Sequence, residues 1–357
     1  MSFSERKIDV AVIGVGLIGP RHCRTVKESN EARLVAIVDL QPSTAKVAEE
    51  FGAAHYTSVQ DLIRSSDKPD AAIICTPNHT HASLAKELAA AGIHVLIEKP
   101  VSVDISSGRE LVEILNQSGV KALVGHHRRF NPYVIAAKEA ISSGSLGDIT
   151  AISGMWTTYK PEDYFDVPAA WRRGKSGGVV LINLIHEVDI LHHLFGPITR
   201  VHAESTKSRR GYEAEEGAAI VFRFRSGVVG TFVISDNVPS PHNFESGTGE
   251  NPLIPKAGAD FYRIFGTGAS LSVPDMTKWS YDGAPVKSWN EKLSQESLEV
   301  TPAVPFEKQF SHFVRVIHGE EDPSCSAGAG LAALMVCEAV RESLQTGQTV
   351  EIKDDNF

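Results

Sequence analysis

The segment from Ile8 to Asp39 constrains the fold of this chain more than any other. An apolar run, Ile8 to Ile13, leads directly into Gly14-Val15-Gly16-Leu17-Ile18-Gly19, and a helical pattern follows. A second apolar run ends in Asp39, about 20 residues past the last glycine. This order of strand, glycine-rich turn, helix, strand and acid is typical of the first βαβ unit of a doubly wound parallel sheet.

Each glycine of the turn has its own physical role. Gly14 permits the tight turn, Gly16 lets the backbone approach a pyrophosphate, and Gly19 lets helix and strand pack closely. The following helix N-terminus offers unpaired N–H groups and its positive dipole end to phosphate. Asp39 can accept hydrogen bonds from both hydroxyls of an adenosine ribose. The segment therefore predicts a dinucleotide site.

Asp39 also bears on which dinucleotide is bound. Its carboxylate would repel a 2′-phosphate, and the following residues Leu40-Gln41-Pro42 supply no arginine to offset that repulsion. We therefore expect NAD as the cofactor, with NADP disfavoured.

The pattern of predicted strands and helices divides the chain into two domains. Strand and helix patterns alternate to about residue 125, which predicts an α/β Rossmann domain with a doubly wound parallel sheet over residues 1–128. From Ile149 the strands are longer and separated by turn residues. This pattern predicts a C-terminal α+β domain over residues 129–357, with a large open, mostly antiparallel sheet, for substrate binding and oligomerisation.

Two further features of the chain are the strand ends and a long polar loop. The carboxyl ends of the predicted parallel strands, where ligands bind in such sheets, hold Gly14, Asp39, Thr76, Lys99 and Gly125. Residues 236 to 259 are rich in Pro, Gly, Asn and Ser. This segment is either a lid or binding loop, or a disordered excursion.

Composition excludes several classes of function. A net charge of -9 argues against nucleic acid as a partner. No apolar stretch approaches the length needed to span a bilayer, and residues 1–7 lack the apolar core of a secretory signal. The four cysteines are scattered, which fits reduced thiols in a cytoplasmic protein. The helix from His186 has Ile190 where a zinc-binding HExxH needs histidine, so no metal is expected.

Several further motifs give the chain a resemblance to a known family. It resembles the Gfo/Idh/MocA oxidoreductases, which are NAD(P)-dependent sugar and cyclitol dehydrogenases. The motifs are the glycine turn with His22, Thr76-Pro77-Asn78-His79-Thr80-His81, Glu98-Lys99-Pro100, Arg129-Phe130-Asn131-Pro132, Trp171-Arg172, Gly177-Gly178 with His186 and Asp189, and Gly266-Thr267-Gly268.

The chemistry of alcohol oxidation points to Lys99. Oxidising a secondary alcohol needs a base for the hydroxyl proton, and a strand-end lysine beside a nicotinamide would be partly desolvated and close to a cationic ring. The resemblance implies that Lys99 is catalytic, that His186 is its partner in a proton relay, and that the Lys99–Pro100 bond is cis. Many family members carry Asp four residues before the histidine, where this chain has Ile182, with Asn183 next to it.

The remaining site residues follow from the motifs and from polar side chains near them. For Arg129, cofactor binding and an inter-domain salt bridge both remain open. The expected cofactor-binding residues are Gly14, Gly16, Leu17, Ile18, Gly19, Asp39, Thr76, Pro77, Asn78, His81, Glu98, Lys99, Arg129, Trp171 and Arg172. The expected substrate-binding residues are Lys99, His127, Tyr159, Asn183, His186, Asn237 and His242.

Three hypotheses for function follow. The leading one is an NAD-dependent dehydrogenase acting on a secondary alcohol of a sugar, cyclitol or related polyol. An enzymatic alternative is a glycosidase-like relative that uses NAD for redox-neutral elimination, and a third is a non-catalytic dinucleotide-sensing regulator. The resemblance also implies a homodimer or homotetramer formed through the C-terminal sheet.

Overall fold

The computed structural model describes residues 6–167 and 169–353. They form two compact units. The first comprises the described residues up to Phe130 together with Ala303–Leu334, and the second comprises Asn131–Pro302 and the described residues from Met335 onward. The division differs from the expected boundary after residue 128, because a stretch near the C-terminus returns to the first unit.

The first unit is built on a six-stranded, wholly parallel sheet. Its strand order, β3-β2-β1-β4-β5-β6, is that of a dinucleotide-binding Rossmann fold and confirms the prediction. The central strands β1 and β4 are buried on both faces except at Asp9, as the mostly apolar sequence of β1 and the wholly apolar sequence of β4 predict. The strands are β1 Ile8–Ile13, β2 Ala32–Val38, β3 Ala54–Tyr56, β4 Ala71–Ile74, β5 His94–Ile97 and β6 Ala122–Val124.

The second unit is built on a nine-stranded sheet that is antiparallel except where β7 pairs with β10. This confirms the predicted open, mostly antiparallel sheet. Its order is β14-β13-β12-β11-β7-β10-β9-β8-β15. The strands are β7 Ile149–Thr157, β8 Ile198–Ser205, β9 Gly217–Phe224, β10 Val229–Ser235, β11 Tyr262–Gly266, β12 Ala269–Val273, β13 Thr277–Ser280, β14 Ser294–Ser297 and β15 Val350–Glu351.

Ten α-helices accompany the two sheets in the described residues. They are α1 Gly19–Glu28, α2 Ala45–Phe51, α3 Val59–Arg64, α4 His81–Ala90, α5 Ile105–Ser118, α6 Pro132–Ser142, α7 Ile185–Phe195, α8 Phe244–Thr248, α9 Pro305–His318 and α10 Ala327–Thr346. Short 3₁₀ turns span Pro42–Thr44, Asn78–Thr80, His127–Phe130, Glu162–Phe165, Ala170–Arg173 and Lys175–Gly177, and a π-helical turn, Val180–Leu184, precedes α7.

Contacts at the edge strand β6 explain why the stretch around α9 belongs to the first unit. The Val124 N–H donates to the carbonyl of Cys325 at 2.9 Å, and a Cβ on Gly330 would lie 2.8 Å from the Val124 side chain. Phe306 of α9 stacks on the ring of His127, with centroids 4.4 Å apart. The later stretch therefore pairs with and packs on the edge of the Rossmann sheet.

One side of the nine-stranded sheet is covered and the other is open. In β9 and β10 buried and exposed residues alternate, as expected for a sheet with one solvated face. On the covered face, Phe195 of α7 packs edge-on against Phe224, and Ser343 of α10 accepts a hydrogen bond from the Ala203 N–H. The core of this unit therefore lies between the sheet and these two helices.

One helical segment of the described residues, Lys175–Phe195, is long and apolar enough to cross a membrane. The prediction that no apolar stretch approaches this length was therefore wrong on length and composition. However, 72% of its apolar window is buried within the protein. A single buried core helix meets the same criteria, so the segment is weak evidence for a membrane span.

Candidate dinucleotide and substrate sites

The glycine turn after β1 has the geometry that its sequence predicts. Gly14 has a φ of +87°, and a Cβ there would lie 2.9 Å from the Thr76 side chain. A Cβ on Gly19 would lie 2.1 Å from the carbonyl oxygen of Gly14, so only glycine lets α1 begin this close to the strand. A Cβ on Gly16 would meet nothing within 4 Å, which leaves that backbone accessible to a ligand.

The start of α1 is open to an anion. Its N-cap, Ile18, makes no side-chain capping hydrogen bond, Pro20 lies in the first turn, and no acidic residue is present in that turn. Leu17, just before the cap, is 98% exposed. Unpaired N–H groups at a helix start are the usual donors to a pyrophosphate.

Asp39 is held at the end of β2 by two backbone donors. Its Oδ2 accepts from the Val15 N–H at 3.0 Å, and its Oδ1 accepts from the Gln41 N–H, also at 3.0 Å. A carboxylate has about four acceptor positions, so both oxygens keep capacity for the hydroxyls of a ribose. The first of these bonds fixes the acid directly against the glycine turn.

His81 connects two of the strand-end turns. The residue is 1% exposed, and its Nδ1 lies 2.7 Å from the Pro100 carbonyl oxygen while its Nε2 lies 2.8 Å from the Thr76 carbonyl oxygen. Both ring nitrogens thus face backbone acceptors. The structure places His81 as a bridge between the turn after β4 and the turn after β5, whereas Pro77 and Asn78 of the same motif lie in the intervening turn.

Glu98 lies beneath Lys99 at the end of β5. Its Oε1 is 2.8 Å from Nε2 of the buried His22, and its Oε2 accepts from the Lys99 backbone N–H at 3.2 Å. Burial alone would raise the pKa of Glu98. The His22 hydrogen bond and the charges of His22, His127 and Lys99 outweigh it and lower the pKa to about 2. The lysine backbone is therefore anchored to a buried carboxylate, and the Lys99–Pro100 bond is cis, as the resemblance implies.

The shifted pKa of Glu98 predicts an acid-dependent loss of stability. The pKa is lower in the folded protein than in the unfolded chain, so its stabilisation is fully present above about pH 4.5 and is lost as the pH falls towards about 2. We expect the free energy of unfolding to fall between pH 5 and pH 3 by roughly 2 kcal/mol more in the parent than in Glu98→Gln. Urea unfolding followed by circular dichroism measures this, with Glu113→Gln on the exposed side of α5 as control. Parallel profiles of Glu98→Gln and the parent would contradict the pairing.

Arg129 and His127 lie in the 3₁₀ turn after β6. The Arg129 guanidinium donates to the carbonyl oxygen of Ser324, within the first unit. The ring of His127 stacks on Phe306. Both residues thus contact the stretch that returns to the Rossmann sheet. This contact identifies neither a cofactor nor a salt-bridge role for Arg129, and both hypotheses remain predictions.

His186 lies in the first turn of α7, directly after the π-helical turn that contains Asn183. It is buried, and so are Glu187 and Asp189 on the same helix. The hydroxyl of Tyr262 in β11 donates to the carboxylate of Glu187, which ties α7 to the sheet. π-helical turns occur frequently at functional sites, and this one lies where the sequence predicts substrate contacts.

Asn183 receives a hydrogen bond from a residue that the sequence analysis did not identify. Nζ of Lys160 donates to Oδ1 of Asn183 at 2.7 Å and lies 3.2 Å from Oδ2 of Asp236. Lys160 follows β7 and Asp236 follows β10, so the two residues meet because those strands are neighbours in the sheet. No local pattern in the sequence indicates that pairing.

Trp171 and Arg172 lie in a 3₁₀ turn packed on Tyr164 and on the double glycine. The Arg172 guanidinium lies 3.9 Å from the centroid of the Tyr164 ring and donates to the Tyr164 carbonyl at 2.9 Å. A Cβ on Gly177 would lie 2.2 Å from the Arg172 Cα, and one on Gly178 would lie 2.0 Å from the Glu215 carboxylate. The two glycines are therefore needed for close packing beside this turn.

The other residues predicted to bind a polyol differ in whether their polar atoms already have hydrogen-bond partners within the protein. Tyr159 is exposed. Asn237 donates to Glu216 at 2.7 Å and accepts from Ser235 at 2.8 Å, so both ends of its amide already have partners. Nδ1 of His242 lies 2.7 Å from the Asp260 carbonyl oxygen. Of these three residues, Tyr159 is the most available to a ligand.

The loop of residues 236 to 259 is ordered rather than a disordered excursion. It contains α8, whose N-cap Asn243 accepts from the Ser246 N–H at 2.8 Å. The Asn243 amide also donates to the Thr157 carbonyl at 3.0 Å, which anchors the loop to the end of β7. The alternative hypothesis, a lid or binding loop, stays a prediction.

A parallel sheet in this order, with this glycine turn and with Asp39 at the end of β2, defines a dinucleotide-binding protein. Family models agree with this. The model of the Gfo/Idh/MocA oxidoreductase family's NAD-binding Rossmann fold matches residues 8–126, and that of its C-terminal alpha/beta domain matches residues 138–352. The chain belongs to the Gfo/Idh/MocA oxidoreductase family.

Inositol dehydrogenases are among the proteins that are similar to this chain in sequence. An inositol 2-dehydrogenase of Rhizobium meliloti (strain 1021) is 32% identical over 52% of this chain, and the match spans 54% of that protein, about half its length. A myo-inositol 2-dehydrogenase of Thermotoga maritima is 25% identical over 97% of this chain and 98% of that protein.

Solved structures share the fold. An oxidoreductase from Agrobacterium radiobacter, in complex with NAD⁺, L-tartaric acid and magnesium, has a TM-score of 0.81 at 16% identity and covers 97% of this chain and 99% of its own. The WlbA dehydrogenase from Bordetella pertussis, in complex with NADH and UDP-GlcNAcA, has a TM-score of 0.78 at 23% identity. The match covers 99% of this chain and 100% of the WlbA chain. At these identities the likeness is one of fold.

Proposed function

We propose that this protein is an NAD-dependent dehydrogenase that oxidises a secondary alcohol of a sugar, cyclitol or related polyol. The observation that carries the proposal is the anchoring of Lys99 by the buried Glu98–His22 pair at the end of β5. Ligands of a doubly wound sheet bind at the carboxyl ends of its strands, where this lysine lies. The inositol dehydrogenases among the relatives support a cyclitol or sugar as substrate.

The proposed mechanism assigns proton transfer to Lys99 and His186. NAD⁺, when bound by the glycine turn and Asp39, supplies the hydride acceptor. Nζ of Lys99 takes the proton of the substrate hydroxyl, and the imidazole of His186 hydrogen-bonds the same oxygen and shares the proton relay. The carboxylate of Glu98, kept ionised by its low pKa, holds the Lys99 backbone in place during this transfer. All four cysteines, Cys23, Cys75, Cys325 and Cys337, are reduced thiols, which fits a reducing compartment, and we place the enzyme in the cytoplasm.

A substrate screen tests the proposal. Polyols, aldoses, cyclitols and their acids are incubated with protein and NAD⁺, and formation of NADH is followed by absorbance. Turnover of one compound class supports the dehydrogenase. Hydrolysis of a glycoside without net NADH, by protein that keeps its cofactor through gel filtration, would instead support the glycosidase-like alternative. NAD binding without any turnover would favour the regulator.

Asp39 should determine the preference for NAD. We expect Asp39→Ala to weaken NAD binding and to narrow the gap between NAD and NADP by about tenfold or more, because it removes both ribose hydrogen bonds and the repulsion of a 2′-phosphate. The measurement is kcat/KM with each cofactor. Asp67→Ala, an acid of the same unit away from the glycine turn, is the control. An unchanged ratio of the two constants would mean that Asp39 does not face the ribose.

We also propose that the open face of the nine-stranded sheet joins copies of this chain into a homodimer or homotetramer. A continuous row of residues crosses five paired strands on that face: Trp279, Ser270, Phe265, Ala151 and Val229. Three of the five are exposed large hydrophobic residues. An apolar row on a sheet face is typical of a surface that another protein surface covers.

A charge in the middle of this row should separate the copies. We expect Phe265→Lys to lower the mass measured by sedimentation velocity to that of a monomer, because a buried unpaired lysine is costly in an apolar interface. Val286→Lys, at an exposed apolar residue outside the strands, is the control. An unchanged mass for Phe265→Lys would exclude this face as the interface.

A further inference from the structure

Lys160 is a buried lysine in the second unit that has no role in the mechanism above. It is 8% exposed, and its ammonium group lies over the ring of Tyr164, 4.9 Å from the centroid, and 5.4 Å from that of Trp156. Lysine is almost never this buried unless its charge is paired. Here the charge is paired with Asp236, at 3.2 Å, and the ammonium group also donates to Asn183 at 2.7 Å.

The position of Asp236 is itself fixed by an arginine. NH1 of Arg210 donates to Oδ1 of Asp236 at 2.7 Å, and NH2 donates to the Asp236 carbonyl, also at 2.7 Å. Arg210 is in turn held through its backbone N–H, which donates to the Glu216 carboxylate at 2.8 Å. The aspartate therefore keeps a cationic partner even without the lysine, and Lys160 is held in one place by a network of charges.

This network fixes the orientation of the Asn183 amide. An ammonium group has donors only, so the Asn183 atom that faces it at 2.7 Å must be the oxygen. The amide nitrogen then points away from Lys160. Across residues 6–167 and 169–353, Nδ2 of Asn183 has no hydrogen-bond partner, and it is not among the buried unsatisfied atoms. Asn183 is half-buried, so its two N–H groups are accessible donors.

Asn183 lies close in sequence to His186, at the predicted substrate site. It lies three residues before His186, in the π-helical turn that leads into α7. The neighbouring Ile182 stands where many members of the family carry an acid, so this chain has no carboxylate at that position, and Asn183 is the polar side chain beside it. A carboxylate in this turn would accept a hydrogen bond from a substrate hydroxyl. The Asn183 amide, whose oxygen faces Lys160, can only donate hydrogen bonds from its nitrogen.

We propose that Lys160 is a positioning residue that orients Asn183 as a hydrogen-bond donor to an acceptor oxygen of the substrate. The inference rests on the proposed function for the identity of that substrate. The group that Asn183 recognises is an oxygen used as an acceptor, and the donor end of the amide is set before the substrate arrives. Because Lys160 touches Asn183 and not the reacting atoms, its effect on turnover passes through that amide.

The contact itself is tested without any catalytic activity. In protein labelled with ¹⁵N-asparagine, the side-chain resonance of Asn183 is assigned by its absence in Asn183→Asp. We expect Lys160→Met, which keeps the aliphatic stem, to shift this resonance, and Lys287→Met at an exposed lysine to leave it unchanged. An Asn183 resonance that does not move in Lys160→Met would overturn the inference, even if the wild-type protein turns over no polyol and the proposed function fails.

The consequence is tested by kinetics with the best substrate of the screen. We expect Asn183→Asp, which keeps the shape but removes the donor, to lower kcat/KM by about tenfold to a hundredfold, mainly through KM. Lys160→Met should lower it by about fivefold to tenfold, and should have no further effect when added to Asn183→Ala. Thermal unfolding and NAD affinity establish that each variant is folded. Full activity of Asn183→Asp, or effects of Lys160→Met and Asn183→Ala that multiply, would overturn the proposal.

Discussion

Replacing Lys99 with alanine is expected to lower kcat by roughly two to four powers of ten while NAD binding stays nearly intact. The lysine lies at the end of β5, and its backbone is held by the buried carboxylate of Glu98. That carboxylate is paired with His22, so it remains in place when the lysine side chain is removed. The loss should therefore fall on proton transfer and not on the fold of the turn.

Two measurements separate these effects for Lys99→Ala. Steady-state turnover gives kcat, and titration calorimetry gives the affinity for NAD. Lys121→Ala, an exposed lysine just before β6, is the matched control for loss of a positive charge in the same unit. Near-normal turnover by Lys99→Ala would remove Lys99 from the mechanism, and loss of NAD affinity together with activity would assign it to binding.

The Rossmann unit could be predicted from the sequence because its signals are local. β1 and β4 are short apolar runs bounded by turn residues, and the glycines between β1 and α1 follow directly from the contacts that a Cβ would make. Strand order then follows from right-handed crossovers between parallel strands. The strand-end site follows in turn, because its members are each adjacent in sequence to a strand.

The return of residues 303–334 to this unit could not be predicted in the same way. The sequence of α9 shows an amphipathic helix with apolar residues on one face, including Phe306. That pattern says that one face is buried but does not say against which sheet. The contacts of Val124 with Cys325 and Gly330 join residues about 200 positions apart, and no short-range signal marks them.

The residues of the candidate site also fall into two groups: those that a local sequence motif indicates and those that only the sheet brings together. Asp39, Glu98 and Lys99 belong to motifs whose spacing is visible in the sequence. Lys160 and Asp236 became recognisable only in the sheet, because β7 and β10 are parallel neighbours that are separated in sequence by β8 and β9. A buried charged residue has no sequence signature apart from an apolar context, which Trp156 and Tyr164 provide only in part.

His186→Ala is expected to lower kcat by roughly two to three powers of ten and to flatten the pH dependence of turnover. The imidazole is buried in the first turn of α7, just after the π-helical turn that holds Asn183. An imidazole that shares a proton relay makes turnover depend on its own protonation, since only the neutral ring can accept a proton. Removing it should remove that dependence together with the rate.

The fold of α7 should survive this change, which makes the result interpretable. The helix stays tied to the sheet by the hydrogen bond between Glu187 and Tyr262, neither of which is altered. Rates are measured across pH 5 to 9 for His186→Ala, for the parent and for His318→Ala, an exposed histidine at the end of α9. If His186→Ala keeps the rate and pH profile of the parent, His186 is a core residue, and the relay must run through Lys99 without it.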